Sequence, residues 1–296
     1  MSVDGSTKAG AAGRVISMPR RAGAPDHFTG TGRPAAAPSH GNGSPHGPIG
    51  LDWQHLPAVS RRTTRGVPRY TDATRPGVGR PDVFVLLGAE DLFPTGGSYP
   101  GRVRFRSRSE GLFAQVEHVR DGSGDVWEVR GRDGLLTRYG TLRPDGAPDG
   151  WQDPAVIADP DDRRRIFEWR ITRIEDPHGN VVRYQYLSDR NAGPGKACAE
   201  PMIARISHAD YGDRANPAAV VTMELDYEPR PDPVSDHRAG FEIRTSLRCR
   251  TLRVVTQAAD GVARVANTYR LGYARGSVLT GMEAVGPEEI ADHRTA

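Results

Sequence analysis

At 296 residues, with 36% hydrophobic and 26% charged side chains and a mean hydropathy of −0.57, the chain can form one large domain or two small ones around a lean core. No apolar run approaches the ~18 residues that a membrane helix needs, and the first thirty residues lack the apolar stretch of a Sec signal peptide. The formal charge of +3 is uneven: residues 1–82 hold eleven Lys and Arg against five Asp and Glu, which leaves the remainder net acidic. That basic end has no lysine run, no interleaved aromatics and no helical spacing, so nucleic acid is not an expected partner.

Residues 1–48 are Gly, Ala, Pro, Ser and His with almost no large apolar side chains. Such a segment buries too little surface to offset chain entropy, and disorder is expected. His40 and His46 are spaced by Gly and Pro and read as linker residues, not as a metal tract.

From Ile49 to about Gly286 the pattern changes to short apolar or alternating runs broken by Gly, Asp, Asn and Pro. In chain order the strand-like runs are Phe84–Leu87, Leu112–Val116, Val126–Val129 and Leu135–Tyr139. Then come Ile166–Ile174, Val181–Tyr186, Ile203–Ser207, Val220–Tyr227, Glu242–Val255 and Thr268–Tyr273. They are rich in β-branched and aromatic residues at a period of two. Asp121-Gly122 and Asp133-Gly134 are hairpin signals, since the central turn residues must tolerate positive φ. Pro160–Arg164 is the one place where a helix could start, and it reads equally as a solvated turn. The 35 Gly and 24 Pro make about a fifth of the chain, so turns are frequent and long helices few. The predicted fold is all-β, with multi-stranded antiparallel sheets and hairpins. Its parts are a disordered segment 1–48, a β domain over 49–286, and a short tail at 287–296.

One pattern repeats weakly. Asp133-Gly134 precedes Thr137-Arg138-Tyr139, and Asp176-Pro177-His178-Gly179-Asn180 precedes Val181 to Tyr186. Each reads as a turn launching a strand with inward tyrosines, Tyr184 and Tyr186 sharing a face. This is the grammar of sequential hairpins, although two copies do not make a solenoid.

Several residues invite a chemical reading. Glu90-Asp91 is an acid pair, but neighbours on a strand point to opposite faces, against joint acid/base work. Asp226, Glu228, Asp232 and Asp236 lie among Pro229, Pro231 and Pro233. They lack the spacing of a calcium loop and read as a proline-set loop capped by Asp–Arg pairs with Arg230, Arg238 and Arg244. No His-Glu-x-x-His or Gly-x-Ser-x-Gly pattern occurs; Ser60 and Ser207 stand outside any hydrolase motif, and His208 reads as part of a turn after a strand. Cys249 falls in an alternating run and reads as a buried thiol, whereas Cys198, in a Gly/Pro loop, reads as exposed. Arg61, Arg62 and Arg65 read as strand cross-links through carboxylates, or as the lining of an interface with a partner. No catalytic, cofactor-binding or metal residue is assigned, and no cofactor is expected.

A family resemblance emerges from the longer motifs. Gly50–Trp53 with Val59–Tyr70 resembles "GW…ISRRTxRGxPRY". Phe84–Pro94 resembles "FxLxGAEDLxP", and Arg108–Ala114 resembles "xEGxFA". Asp176–Tyr186 is similar to the Rhs-type "DPxGNxxxYxY", and Asp232–Arg244 to "DPxSDxRAGFEIR". In this order they resemble the SpvB-type N-terminal domain of Tc insecticidal-toxin B components, across roughly residues 49–286. The resemblance implies a non-enzymatic β module of a secreted, Rhs-associated toxin, which helps form a shell around a toxic effector. Its implied partners are β-propeller and Rhs segments of the same or a neighbouring chain, with no nucleic acid and no membrane span. SpvB itself places a related module before an ADP-ribosyltransferase domain. Relatives carry several strands before the Gly-Trp motif where this sequence has segment 1–48, and Asp52 stands at a usually small position. The sequence therefore reads as a truncated or split gene product. Two rival functions remain: a glycan- or receptor-binding module using exposed Trp127, Trp151 and Trp169, or a glycosidase using Glu90 or Glu110.

Overall fold

The structure, a computed structural model, describes residues 56–71, 81–88, 90–95, 100–108, 114–188, 197–213, 216–257 and 262–286, with backbone alone for 188, 209–213 and 216–218. The expectations for residues 1–48, Gly50–Trp53, Ser109–Phe113 (with Glu110) and the tail 287–296 lie outside the described residues. Among those described there are sixteen strands and no helix, and hence no helix long and apolar enough to cross a membrane. The all-β expectation holds, and Asp162–Arg165 is a turn closed by the Arg165 N–H on the Asp162 carbonyl at 2.9 Å.

Eight strands close into an antiparallel barrel. The short β1 (Ala58–Arg61) pairs with β2 (Phe84–Leu86), which pairs with β3 (Glu90–Pro94) and then β4 (Arg102–Ser107). The ladder continues through β5 (Gln115–Asp121), β6 (Gly124–Arg130) and β7 (Leu136–Tyr139) to β9 (Ile166–Glu175). It closes where Val59 of β1 lies opposite Trp169 of β9. The ten-residue β9 serves as a hub because its two edges are each used twice. The Arg170 N–H donates to Ala155 O at 2.8 Å beside β8 (Val156–Ala158), and the Arg170 carbonyl accepts from Gly140 N–H, also at 2.8 Å, after β7. On the opposite edge Ile171 N–H donates to Pro57 O at 3.1 Å before β1, and further along this edge comes β10 (Val181–Ser188).

Beyond β10 the sheet stays open. β12 (Pro201–Asp213), the 21-residue β13 (Asn216–Asp236), β14 (Ile243–Gln257), β15 (Ala263–Ala274) and β16 (Val278–Val285) follow in sequence order, all antiparallel. A single apolar cluster runs from Val59, Phe84 and Trp127 in the barrel to Leu225, Leu252 and Leu271 in the open sheet. A second one gathers Ile157, Phe167, Cys198, Ala239, Phe241 and Ile243 outside it.

Four expectations are corrected here. Cys198 is buried, not exposed, because Cys198-Ala199 forms β11, a two-residue parallel pair with Ile243-Arg244 of β14 that covers its side chain. Burial raises the thiol pKa of Cys198 and pushes that of Cys249 up to about 12. His208 lies within β12, opposite both Val182 and Val221, and not in a turn. The acidic segment 226–236 belongs to β13, with its pairing to β14 interrupted between Pro229 and Val234, where prolines cannot donate. At the first hairpin the central residues are Gly122-Ser123, not Asp121-Gly122; Asp121 pairs with Gly124 and accepts the Ser123 N–H at 2.8 Å.

The two copies of the weak repeat adopt one geometry. In each, a three-residue loop ends on a left-handed glycine: Gly134 (φ 79°) donates to the Gly131 carbonyl at 3.1 Å, and Gly179 (φ 92°) to the Asp176 carbonyl at 3.1 Å. Because β7 and β9 are paired, the loops lie side by side, and a Cβ on Gly134 would stand 2.6 Å from Cγ of Pro177. Gly134→Ala meets both the positive φ and this contact, and a loss of about 2 kcal/mol is expected in chemical denaturation. Gly146→Ala, also at positive φ but with nothing within 4 Å, should lose about half as much.

Candidate functional site

Polar groups concentrate at three places along the barrel and its seam with the open sheet. At the barrel centre, alternation along β5 puts Val116 and His118 on the inward face, and the facing residue on β6 is Trp127. The His118 ring stacks on Trp127 at 4.2 Å with 4° between planes. Phe84 meets Trp127 edge-on at 4.8 Å and Trp169 at 5.9 Å, and Phe105 lies 4.9 Å from Trp127. Rings from β2, β4, β5, β6 and β9 thus converge, as an eight-stranded barrel allows when its interior is filled by side chains.

Asp125 ties this centre to the barrel end. It lies 2.6 Å from His118 Nε2, accepts from Arg120 Nε at 2.8 Å, and takes the Trp169 Nε1–H on both its carbonyl and its Oδ1 at 3.1 Å. Burial would raise this carboxyl, but the His118 hydrogen bond and the Arg120 charge hold it below the usual carboxylate range. Nearby Asp153 accepts Thr141 N–H at 2.6 Å and Ala155 N–H at 2.8 Å, pinning the connection from β7 to β8. Burial raises its pKa in spite of those amides. Gly140 (φ 83°) passes between these groups; a Cβ there would sit 3.1 Å from Trp169 and 3.2 Å from the Asp125 carbonyl.

The second place joins two family motifs. Asp82 accepts Arg61 Nη1 at 2.9 Å, Arg69 N–H at 3.0 Å and Tyr70 N–H at 2.7 Å. Arg61 also donates through Nε to Ile166 O at 2.7 Å, and its guanidinium lies 4.8 Å from the Phe84 ring and 5.0 Å from that of Tyr70. Tyr70, itself left-handed at φ 57°, donates its hydroxyl to Ala239 O at 2.6 Å, and burial pushes that hydroxyl up to about 12. A Cβ on Gly240 would come 2.7 Å from Val67. The Arg61–Tyr70 and Arg238–Arg244 segments therefore dock on each other, clamping the end of the barrel to the start of β14.

The third place is a buried ion cluster between β9, the residue before β12, and β14. Arg170 donates through Nη2 to Glu200 Oε1 at 2.8 Å, and its Nε lies 2.6 Å from Glu168 Oε1 without hydrogen-bond geometry. Thr245 donates its hydroxyl to the other Glu200 oxygen. Burial opposes the Arg170 charge, but Glu168 and Glu200 outweigh it and raise its pKa.

Tyrosines with half-buried rings complete the seam. Tyr186 donates to Ile171 O at 2.8 Å, Tyr227 to Ile203 O at 2.7 Å and Tyr273 to Cys249 O at 2.6 Å. Desolvation raises all three hydroxyl pKa values well above 10, as it does those of Tyr139 and Tyr184. The native state therefore keeps protons that the unfolded chain releases near pH 10, so stability is full below that pH and lost as pH rises above it. Phenolate absorbance should show a late block of the nine tyrosines ionising together with loss of near-ultraviolet dichroism.

Among the described residues, those singled out from sequence lie mostly in separate ion pairs or in the core. Asp91 pairs with Arg62 on the neighbouring motif, and Glu90 next to it alternates to the other face of β3. Arg61 and Arg62 act as cross-links, whereas Arg65 is exposed. Arg230 is buried beside Asp232 at 3.4 Å, Arg238 pairs with Asp236, and Arg244 reaches Glu242 at 3.8 Å. Asp226 and Glu228 are turned to Arg253 at 3.1 Å and Arg248 at 2.8 Å. Trp127 and Trp169, expected on the surface of a glycan-binding module, are fully buried because their strands close the barrel; Trp151 is half-buried. Sequence reading passed over His118, Asp125, Arg170 and Glu200. For His118 the signal was its place two residues from Val116 and across from a tryptophan.

The model of the family described as "SpvB: Salmonella virulence plasmid 65kDa B protein" matches residues 29–208 and 206–255. The mono(ADP-ribosyl)transferase SpvB of Salmonella typhimurium (strain 14028s / SGSC 2262) is 25% identical over 269 residues, taking in 71% of this chain and 42% of the relative. That of Salmonella enteritidis is 24% identical with the same coverage. The chain thus spans less than half the length of these relatives. Among solved structures, the N-terminal domain of effector protein SpvB from Salmonella typhimurium strain LT2 superposes with a TM-score of 0.70 at 21% identity, covering 86% of this chain and 94% of that domain. TcdB2-TccC3 gives 0.65 at 19% identity, covering 86% of this chain and 14% of the other. A Photorhabdus luminescens Tc holotoxin pore gives 0.64 at 19%, covering 85% and 14%. The barrel and the open sheet are therefore a shared fold, and with most of its length matched by the family model the chain belongs to the SpvB family.

Proposed function

We propose that the chain is a non-enzymatic structural module of a toxin complex. It contributes, as the N-terminal part of a Tc-toxin B component would, to a wall that encloses a toxic effector. The observation that carries this reading is the use of polar groups for joining elements: Asp82, Asp125, Asp153 and Glu200 each hold two or more segments together. The convergent aromatic rings at the barrel centre add to it. A module of this kind works beside β-propeller and Rhs segments of the same complex, and reaches the outside of the cell as part of that complex.

The test is a chimaera in which residues 56–286 replace the matched segment of TcdB2. Co-purification of the chimaera with TccC3 as one species is the expected result. A chimaera that folds with a β spectrum and a cooperative melt, yet leaves TccC3 unbound, contradicts the reading.

A further inference from the structure

Where the barrel meets the open sheet, the outer face carries a row of polar side chains in cross-strand register. From β6 to β13 it reads Glu128, Arg138, Arg173, Arg183, Ser207 and Thr222. Their neighbours along the strands, Val129, Ile174 and Tyr184 among them, pack in the apolar cluster, so alternation turns the row outward.

Carboxylates satisfy this row at its barrel end only. Arg138 donates to Glu128 through Nη2 at 2.8 Å and Nε at 3.2 Å. Arg173 donates to Glu175, two residues along its own strand, at 2.8 Å. Arg183 instead has the like charge of Arg173 directly opposite and Ser207 on its other flank. Glu224, in the next row, is held by Arg205 at 2.7 Å. Among the described residues no carboxylate pairs with Arg183, and the Ser207 and Thr222 hydroxyls have no partner. Like charges directly opposite destabilise a sheet, and half-burial weakens the screening by water. Burial and the Arg173 charge both lower the Arg183 pKa. A guanidinium kept at such a place, beside two hydroxyl residues about 5 Å apart in register, is a line of donors facing outward.

We infer that Arg183, Ser207 and Thr222 form a binding site for a single carboxylate, presented by an acidic side chain of a partner polypeptide lying against this face. One negative charge cancels one unpaired guanidinium, and arginine with carboxylate is already the pairing used along the row. An extended polyanion, whether nucleic acid or a lipid surface, would meet Glu128, Glu175 and Glu224 around the site and be repelled. The inference goes beyond the wall reading and does not rest on it.

The test uses the full chain with isotope-labelled arginine and follows the Arg183 Nε–H signal by NMR, assigned by its loss in Arg183→Gln. The probe is the α-methylamide of N-acetylglutamate, with the uncharged glutamine derivative as control. The expected result is a saturable shift of the Arg183 signal that the glutamine derivative does not produce. Affinity should fall about tenfold in Ser207→Ala/Thr222→Val, the loss from two hydrogen bonds to the carboxylate. Without probe, Arg183→Gln should raise the denaturation midpoint, since it removes the charge opposing Arg173. A midpoint that falls would show that a carboxylate of this chain already holds Arg183, and overturns the inference. A shift no larger than that of the exposed Arg65, or unchanged affinity in the hydroxyl variant, also overturns it. Tighter binding of inorganic phosphate than of the glutamate derivative would assign the row to another ligand, with the same consequence.

Discussion

Trp169→Ala is expected to lower stability by about 3–5 kcal/mol, the range for removing a large aromatic from a packed core. In a domain of this size that corresponds to a fall in Tm of about 10 °C. Trp169 sits on the one strand that both closes the barrel, opposite Val59, and supports Val156 of β8. Its indole also donates to Asp125, so truncation opens a void and removes a donor from a carboxylate that His118 shares. Trp169→Phe keeps most of the volume and loses the N–H, and should cost less than half as much. Trp151→Ala, at a half-buried site outside the barrel cluster, should stay within about 1 kcal/mol of the parent. Thermal melts of the three variants check the order.

Glu200→Leu is the second large effect. It leaves the buried Arg170 guanidinium without its Nη2 acceptor, and Thr245 without the oxygen its hydroxyl meets. Breaking a buried pair from one side costs about 3–5 kcal/mol, whereas replacing both charges by apolar side chains of similar volume is often neutral. The double variant Arg170→Met/Glu200→Leu should therefore recover most of the loss, with Glu168, at the cluster's more exposed margin, turned to solvent. A denaturant cycle over the two single variants and the double variant reads the coupling; a double variant as unstable as Glu200→Leu would mean that the cluster contributes by shape and not by charge pairing.

The strands of this fold were legible where β-branched and aromatic residues alternate for six or more positions, as in Ile166–Ile174 and Glu242–Val255. Arg102–Ser107 and Val278–Val285 were missed although their partners are the neighbouring strands, because their apolar residues are few or, in the second, interrupted by Thr280-Gly281; others were missed where the element is short and its partner distant. Val156–Ala158 and Cys198-Ala199 form strands only because β9 and β14 are there to receive them, and a Gly/Pro-rich neighbourhood hid the burial of Cys198. Closure of the barrel was invisible for the same reason. The pairing of Val59 with Trp169 spans more than a hundred residues, and no local pattern encodes which strand a four-residue segment will choose. The tryptophans show the consequence, since a residue read as an exposed platform becomes a core anchor once the ring closes around it. The inward pair Tyr184 and Tyr186 was correctly placed by period two. The bulges beside Tyr186, Tyr227 and Tyr273 leave no sequence mark, because a bulge is a property of two strands in register. Of the seam, Arg61 and Arg62 were legible as cross-links from their motif. Arg170 and Glu200 were not, since a charged residue inside an apolar run looks solvent-facing until both its neighbours are known.

Strand β1 closes the ring against β9 around a centre filled by side chains. Amide hydrogen exchange at Ala58–Arg61, compared with Ile166–Glu175, tests this most directly. A strand hydrogen-bonded on both edges must open with the barrel, so the two segments should exchange at one slow, common rate that accelerates only at global unfolding. Exchange of Ala58–Arg61 within seconds, while Ile166–Glu175 stays protected, would show β1 to be a loose edge and would contradict a closed barrel.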